Sequence, residues 1–289
     1  MTIELRGLVD AMAARLEAAG VAFGQGTLTA YDEAAWLVLW KLGLPLDALD
    51  EHATREIGVD EQAAVDALVE ERIVRRLPAA YLTGEAWLQG VPFHVDARAI
   101  VPRSLIAELI ADASIDPWLG AHTRRVLDLC TGNGSLAVLA ALAWPEVDVV
   151  GADISDDALA VAQRNVERHQ LQARIRLLRG DGLAAVAGER FDLLICNPPY
   201  VNAQSMAALP PEFRAEPQLA LAGGADGMDF IRGLLRGAPD CLNEQGVLVL
   251  EIGHERPYFE AAFPALDPVW LETSAGADQV LLLTREQLI

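Results

Sequence analysis

The stretch FDLLICNPPYV, residues 191–201, opens as a mostly apolar run and then stops on Asn197, Pro198, Pro199 and Tyr200. A residue before proline is pushed into extended geometry and proline fixes its own φ, so Asn197 stands at a rigid chain end with little entropy left to lose on binding. Its side-chain carbonyl and the backbone carbonyl of Pro198 make a pair of neutral hydrogen-bond acceptors. Such a pair suits a planar NH₂ group, an amide or a nucleobase amine, whose delocalised lone pair makes the nitrogen a poor nucleophile. Gripping both hydrogens fixes the direction of the group and favours a localised lone pair as a new bond forms. The ring of Tyr200 is suited to pack against the planar group. The plain alternative is a Pro-Pro strand terminator behind a turn asparagine.

A second stretch, DLCTGNGSLAV from Asp128, sits where an apolar strand pattern gives way to a helical one. Gly132 and Gly134 let the backbone turn tightly and approach a ligand. The spacing of Gly132, Gly134 and Ala137 fits a dinucleotide loop, and Asp128 four residues before Gly132 fits a methyltransferase loop as well. Asp153 closes the next strand, where a carboxylate accepts both hydroxyl hydrogens of a ribose. Asp181, in GDG after a third strand, reads either as an acceptor for an adenine amine or as a turn cap. Two features favour S-adenosylmethionine over NAD. Asp128 suits an ammonium and would repel a pyrophosphate, and no second nucleotide-binding half follows.

Methyl transfer from a sulfonium needs a nucleophile aligned behind the methyl carbon, so positioning supplies much of the rate and no metal is called for. His52, His94, His122, His169 and His254 are isolated along the chain, and no base triad or metal cluster is apparent. Cys130, Cys196 and Cys241 are odd in number, widely spaced and set in apolar segments, which reads as reduced, mostly buried thiols.

The elements that must position these groups follow from periodicity. Over residues 1–80, Leu5, Leu8, Met12 and Leu16 form one helical stripe, Trp36, Val38, Leu39, Trp40 and Leu42 a second, and Val65, Leu68, Val69, Ile73 and Val74 a third. They predict a small helical domain. Residues 81–102, centred on YLTGEAWLQGVPFHV, read as a two-stranded connector turning at Gly90, and 103–113 as a return to helix. Beyond Arg124, strands at 126–130, 147–153, 174–178, 191–196 and 246–253 alternate with helices at 134–143, 156–169 and 227–239. This is the pattern of an α/β domain spanning 103–289, a Rossmann-like, mostly parallel sheet with helices on both sides. Runs at 268–273 and 279–284 predict an antiparallel hairpin at its edge.

Bulk composition narrows the partners. The 289 residues carry a formal net charge of −20, with Lys41 the only lysine. A bare nucleic-acid-binding role needs clustered Lys and Arg, which are missing, whereas a basic macromolecule is attracted; acidity that serves only solubility is the plain alternative. No run of about 18 uncharged apolar residues and no signal-peptide pattern appears, which predicts a soluble, cytoplasmic protein without a membrane partner.

LDLCTGNG together with NPPYV resembles the class I methyltransferases that act on exocyclic or amide nitrogens. LPAAYLTGEAWLQGVPFHVD, AIVPRSLIAELI, DISDDALAVAQRNV, LPPEFRAEPQLALAGGADGMD and LLLTREQL make it more similar to the PrmB/PrmC family of protein-glutamine methyltransferases, from about residue 77 to the C-terminus. Cys130 and Ser104 lean toward the PrmB branch, which acts on large-subunit ribosomal protein L3. The PrmC branch modifies peptide-chain release factors and tends to have glycine and proline there. The resemblance implies a cofactor, S-adenosyl-L-methionine, held by Asp128, Cys130, Thr131, Gly132, Asn133, Gly134, Asp153, Ile154, Asp181, Gly182 and Asn197. It implies that Asn197, Pro198, Pro199 and Tyr200 bind the substrate glutamine and carry catalysis, with Arg103 lining the site or held in an ion pair. Gly182 stands where release-factor enzymes can place an aromatic beside adenine, so stacking must come from elsewhere, with Leu183 the nearest candidate. Leu105 replaces a proline common in the PrmB branch, a change expected to alter only loop stiffness.

On this reading the helical domain selects a basic protein substrate, L3 or a ribosome assembly intermediate, and no direct nucleic-acid partner is expected. Three alternatives stand beside it. A DNA or RNA adenine amino-methyltransferase would use NPPY equally well but calls for a basic groove. A non-catalytic nucleotide-sensing module would tolerate damage to the glycine loop or NPPY, and both are intact. An NAD oxidoreductase would need a hydride-handling acid or base.

Overall fold

The computed structural model describes residues 3–289. It divides into two compact units, one formed by the chain up to Ala86 with Pro210–Glu216, the other by Trp87–Leu209 with Pro217–Ile289. The first unit holds β1 (Ile3–Glu4), α1 (Leu5–Ala18), α2 (Ala30–Lys41), β2 (Glu56–Ile57), α3 (Val59–Arg75) and α4 (Ala79–Thr83), with β1 and β2 paired antiparallel. Leu5, Leu8, Met12 and Leu16 of α1 are buried, as their three- and four-residue spacing predicts. At the start of α2, Thr29 Oγ1 accepts a hydrogen bond from the Asp32 N–H, 3.1 Å, and ends the preceding loop.

The third stripe differs from its expectation. Val65, Leu68 and Val69 of α3 are buried, but Val74 is 68% exposed, and Arg72 takes the next core position at 1% exposure. Helix geometry explains this, since seven residues from Val65 is almost two full turns, while nine residues is the opposite face. Burial of the guanidinium is compensated by hydrogen bonds. Arg72 Nε donates to Glu33 Oε1 at 2.8 Å, Nη1 to Glu212 Oε1 at 3.2 Å and Nη2 to the Ala22 carbonyl at 2.8 Å.

β3 (Glu85–Leu88) and β4 (Val91–His94) form the expected two-stranded ribbon, turning at Gly90. Tyr81–Thr83 belong to α4 rather than to this ribbon, and the boundary between the units falls inside β3. In the second unit follow α5 (Ile106–Ala111), β5 (Arg125–Leu129), α6 (Ser135–Ala143), β6 (Asp148–Asp153), α7 (Asp156–Arg168), β7 (Ile175–Arg179), β8 (Phe191–Cys196) and α8 (Ala203–Ala208). Next come α9 (Pro211–Arg214), which lies in the first unit, then α10 (Asp229–Cys241), β9 (Leu242–Glu251), α11 (Arg256–Ala262), β10 (Val269–Thr273) and β11 (Gly276–Thr284). β9 starts four residues earlier than its apolar run, because Leu242 pairs with Phe191 before the register shifts and the polar Asn243–Gln245 intervene.

The sheet order is β10-β11-β9-β8-β5-β6-β7. β9, β8, β5, β6 and β7 run parallel, and β11 and β10 close the edge as an antiparallel hairpin. The central strand β8 is buried along its whole length because both faces of the sheet are covered there, whereas β7 at the edge is exposed at Arg176 and Arg179. Leu193 and Ile195 of β8 pack on one side with Val126, Val138 and Leu109, while Leu194 and Cys196 pack on the other with Leu127, Ile231 and Leu234. The chain winds from β5 outward through β6 and β7, then returns to β8 on the other flank. The carboxyl ends of β5 and β8 therefore form the topological switch point, where sheets of this kind bind ligands.

Candidate active site

Both stretches singled out from the sequence meet at that switch point. Register pairs Leu129 of β5 with Cys196 of β8, so the glycine loop and Asn197 leave the sheet side by side. The loop reverses through left-handed conformations at Cys130 (φ 61°), Gly132 (φ 55°) and Gly134 (φ 78°). At Gly134 a Cβ would lie 3.0 Å from the Ala162 Cβ and 3.3 Å from its Cα, so glycine is what allows α6 and α7 to pack this closely. Cys130 adopts φ > 0 as a non-glycine residue, an uncommon conformation stabilised from outside. Its thiol shares a hydrogen bond with Cys196, whose own thiol is pushed well above the ordinary range by burial.

Polar ties hold the loop in place. Thr131 N–H donates to the Ala152 carbonyl at 3.0 Å, and Gly132 N–H to Asp153 Oδ2 at 2.9 Å. Asp153 Oδ1 accepts from Ser155 N–H at 2.9 Å. Asp128 Oδ2 accepts from Thr131 Oγ1 at 2.5 Å and from Ala137 N–H at 2.9 Å. Asn165, fully buried on the core face of α7, donates to the Asn133 carbonyl at 2.8 Å and exchanges hydrogen bonds with the backbone of His94. The signal for Asn165 was in the sequence, since an amide on an otherwise apolar helix face must be spent on backbone groups.

A cavity of about 160 Å³, partly open to solvent, lies over this edge. Of the residues expected at the site, Cys130, Gly132, Asp153, Ile154, Asp181, Gly182, Asn197 and Pro199 line it. Asp128, Thr131, Asn133 and Gly134 build the loop from behind, and Pro198, Tyr200 and Arg103 are not among the lining residues. Leu183 does not line the cavity either; it packs toward Gly237 of α10. The aromatic on the wall is Phe230 of α10, whose ring carbons lie 3.7–3.9 Å from where a Cβ of Gly182 would stand. Phe230 is distant in sequence, and only the docking of α10 brings it beside Asp181 and Ile154. Leu219, Ala220 and Ile100 add further apolar wall.

Beyond Asn197 the chain is held by its own network. Tyr200 Oη donates to Glu251 Oε1 at 3.2 Å, and burial pushes its phenol above the ordinary range. Asn202 Nδ2 donates to Glu255 Oε1 at 2.7 Å, and Val201 exchanges backbone bonds with Leu221 and Gly223. Arg103 Nη1 donates to the Val101 carbonyl at 3.1 Å, and its charge is felt by the Tyr200 phenol.

Two polar atoms of the glycine loop region, Asp128 Oδ1 and Asn133 Nδ2, are buried without a hydrogen-bond partner. Burial pushes the Asp128 carboxyl up to about 7, outweighing the hydrogen bonds from Thr131 and Ala137. Its folded value lies above the ordinary 3.8, so the stability tied to the protonated form is fully present below about pH 4 and is lost as pH rises through 7. Unfolding measured across pH without ligand should show stability falling over that window by up to about 4 kcal/mol from this group. Asp128→Asn should flatten that part of the profile; parallel wild-type and Asn profiles would mean that Asp128 titrates normally.

Comparison with known proteins agrees with this geometry. A family model described as the methyltransferase small domain matches residues 105–224, which take in both the glycine loop and NPPY. The chain is 55% identical over 286 residues, 98% of its length and 96% of the relative's, to the ribosomal protein uL3 glutamine methyltransferase of Bordetella pertussis. It is 48% identical to that of Burkholderia pseudomallei, over 98% of this chain and 95% of the other. The hMettl16 catalytic domain solved with MAT2A 3'UTR hairpin 6 shares the fold, with a TM-score of 0.53 over 80% of this chain and 84% of that one, at 14% identity. The fold is that of a class I methyltransferase. Identity this high over nearly the whole of both chains makes the protein an enzyme of the ribosomal protein uL3 glutamine methyltransferase family.

Proposed function

We propose that this enzyme transfers a methyl group from S-adenosylmethionine to the side-chain amide nitrogen of a glutamine in ribosomal protein uL3. The observation that carries the reading is that Asn197, at the end of β8, lines the same cavity as Cys130, Gly132 and Asp153. The residues present fit the cofactor. Asp153 keeps lone pairs free for ribose hydroxyls, Ile154 and Phe230 offer apolar faces for a base, and the unpartnered Asp128 Oδ1 is an acceptor suited to an ammonium. When bound, the cofactor supplies a methyl carbon made electrophilic by an adjacent sulfonium.

The chain supplies positioning. Asn197 Oδ1 and the Pro198 carbonyl accept the two N–H groups of the glutamine amide and aim its nitrogen at the methyl carbon. Both acceptors are neutral and stay so at working pH. Transfer of the methyl group would leave the amide nitrogen with one proton to shed, which would pass to solvent while Asn197 or Pro198 kept hold of the remaining N–H. The protein substrate is favoured over nucleic acid by a net charge of −20, which attracts a basic ribosomal protein and repels phosphate.

The test is incubation with labelled cofactor and separated ribosomal proteins, release factors, DNA and RNA. Label is expected on uL3, mapping to one methylated glutamine by mass spectrometry. Label on release factors with none on uL3 would reassign the substrate within the same chemistry, and label on nucleic acid alone would sink the reading.

A further inference from the structure

We propose that Glu251 is a positioning residue of the reaction, the brace that sets the direction of the Asn197–Tyr200 clamp. The inference rests on the amide-methylation reading above. Glu251 ends β9, one residue past Leu250, which pairs with Cys196 at the end of β8, so its side chain starts beside Asn197 at the ligand edge. It is 4% exposed, and burial pushes its carboxyl above the ordinary range. A carboxylate in such a place is costly unless its oxygens are occupied, and here they are. Oε1 accepts from Tyr200 Oη at 3.2 Å, while Oε2 accepts from Ser104 Oγ at 2.5 Å and from Leu105 N–H at 2.9 Å.

One side chain therefore joins two loops that lie about 100 residues apart in sequence. The first is NPPY; the second is the VPRS loop that carries Arg103. The fit around Tyr200 is tight, since a Cβ on Gly253 would lie 2.6 Å from its ring and one on Gly227 2.2 Å from its carbonyl oxygen. The ring has no second seat, and its hydroxyl has Glu251 as acceptor. With the acceptor removed, the phenol and the Leu105 N–H are left buried and unpaired, and the chain from Asn197 to Tyr200 loses the anchor at its far end. Glu251 does not line the cavity. Its effect on turnover passes through Tyr200 and Ser104 and leaves the cofactor wall untouched.

The test measures kcat and KM for uL3 alongside calorimetric affinity for S-adenosylhomocysteine, with thermal unfolding as a fold control. Glu251→Ala is expected to lower kcat by about 100-fold, the scale of a 1 Å misplacement, with product affinity within about threefold of wild type. Glu251→Gln keeps a carbonyl for Leu105 and a donor that the Tyr200 oxygen accepts, so it should recover most of that loss. Wild-type kcat in Glu251→Ala, or a parallel loss of product affinity, would overturn the proposal. If the alanine variant does not fold, Tyr200→Phe and Ser104→Ala decide. Each removes one donor and should lower kcat by about fivefold to tenfold at unchanged product affinity, and unchanged kcat in both overturns it. Failure of the wild type to methylate any glutamine would instead strike the underlying reading.

Discussion

Asn197→Ala is expected to lower kcat on uL3 by about 10²- to 10³-fold while S-adenosylhomocysteine binds within about threefold of wild type. The size follows from what the carboxamide does. An amide nitrogen attacks only if it is held in line and its lone pair is drawn out of conjugation, and the Pro198 carbonyl alone fixes one hydrogen and leaves the group free to rotate. A loss of that size is about 3–4 kcal/mol of transition-state stabilisation. The cavity wall of Cys130, Gly132, Asp153 and Ile154, where the cofactor is proposed to sit, does not need the Asn197 side chain for its shape, so ground-state binding should be spared. Asn197→Asp retains the accepting oxygen and should keep more turnover than alanine. Turnover of the alanine variant within fivefold of wild type would remove Asn197 from the mechanism.

The sequence exposed what local chemistry dictates. The inner strands β5, β6 and β8 were readable because a strand buried on both faces reads as a nearly continuous apolar run, and β7 at the edge was readable from Ile175, Leu177 and Leu178 between its arginines. NPPY was readable because two prolines after an asparagine restrict the chain whatever surrounds it. What stayed hidden is set by packing between distant segments. Phe230 reaches the cavity only through the docking of α10, and Glu251 looks like the tail of an apolar strand until Tyr200 and Ser104 are brought to it. The exchange of Val74 for Arg72 on the core face of α3 has the same origin. Apolarity ranked valine above arginine, but helix geometry placed arginine inward, and Glu33 and Glu212 made that tolerable.

Glu212 also explains why the PPEFRAE stretch, read as part of the α/β domain, belongs to the helical unit. The chain leaves the α/β unit after Leu209 and returns at Pro217. Between those points Glu212, fully buried, accepts from Arg72 at 3.2 Å, and Gln25 Nε2 donates to its backbone carbonyl at 3.4 Å. Shortly after the chain returns, Leu219 and Ala220 line the cavity. In sequence the excursion thus lies between Asn197–Tyr200 and the cavity-lining Leu219 and Ala220.

Arg72→Met should therefore be the most destabilising single change in the helical unit, costing about 3–5 kcal/mol in denaturant unfolding at pH 7. Methionine fills much of the volume, so the loss comes chiefly from charge: Glu33 is left buried without a cation, and Glu212 keeps only Arg76, 3.2 Å from its Oε1, while its Oε2 already lacks a partner. The pH dependence identifies this cause. Burial already raises the Glu33 carboxyl, with Arg72 opposing it, and removing Arg72 raises it further. A raised folded value means stability present at low pH and lost as pH climbs through it, so the deficit of the variant should shrink as pH falls and grow toward neutrality. Replacing the whole set, Arg72→Met with Glu33→Leu and Glu212→Leu, should restore most of the lost stability, because no buried carboxylate is left uncompensated and Arg76, 30% exposed, reaches solvent. A deficit independent of pH, or a triple variant as unstable as the single, would show that packing around the long arginine stem matters more than the ion pairs.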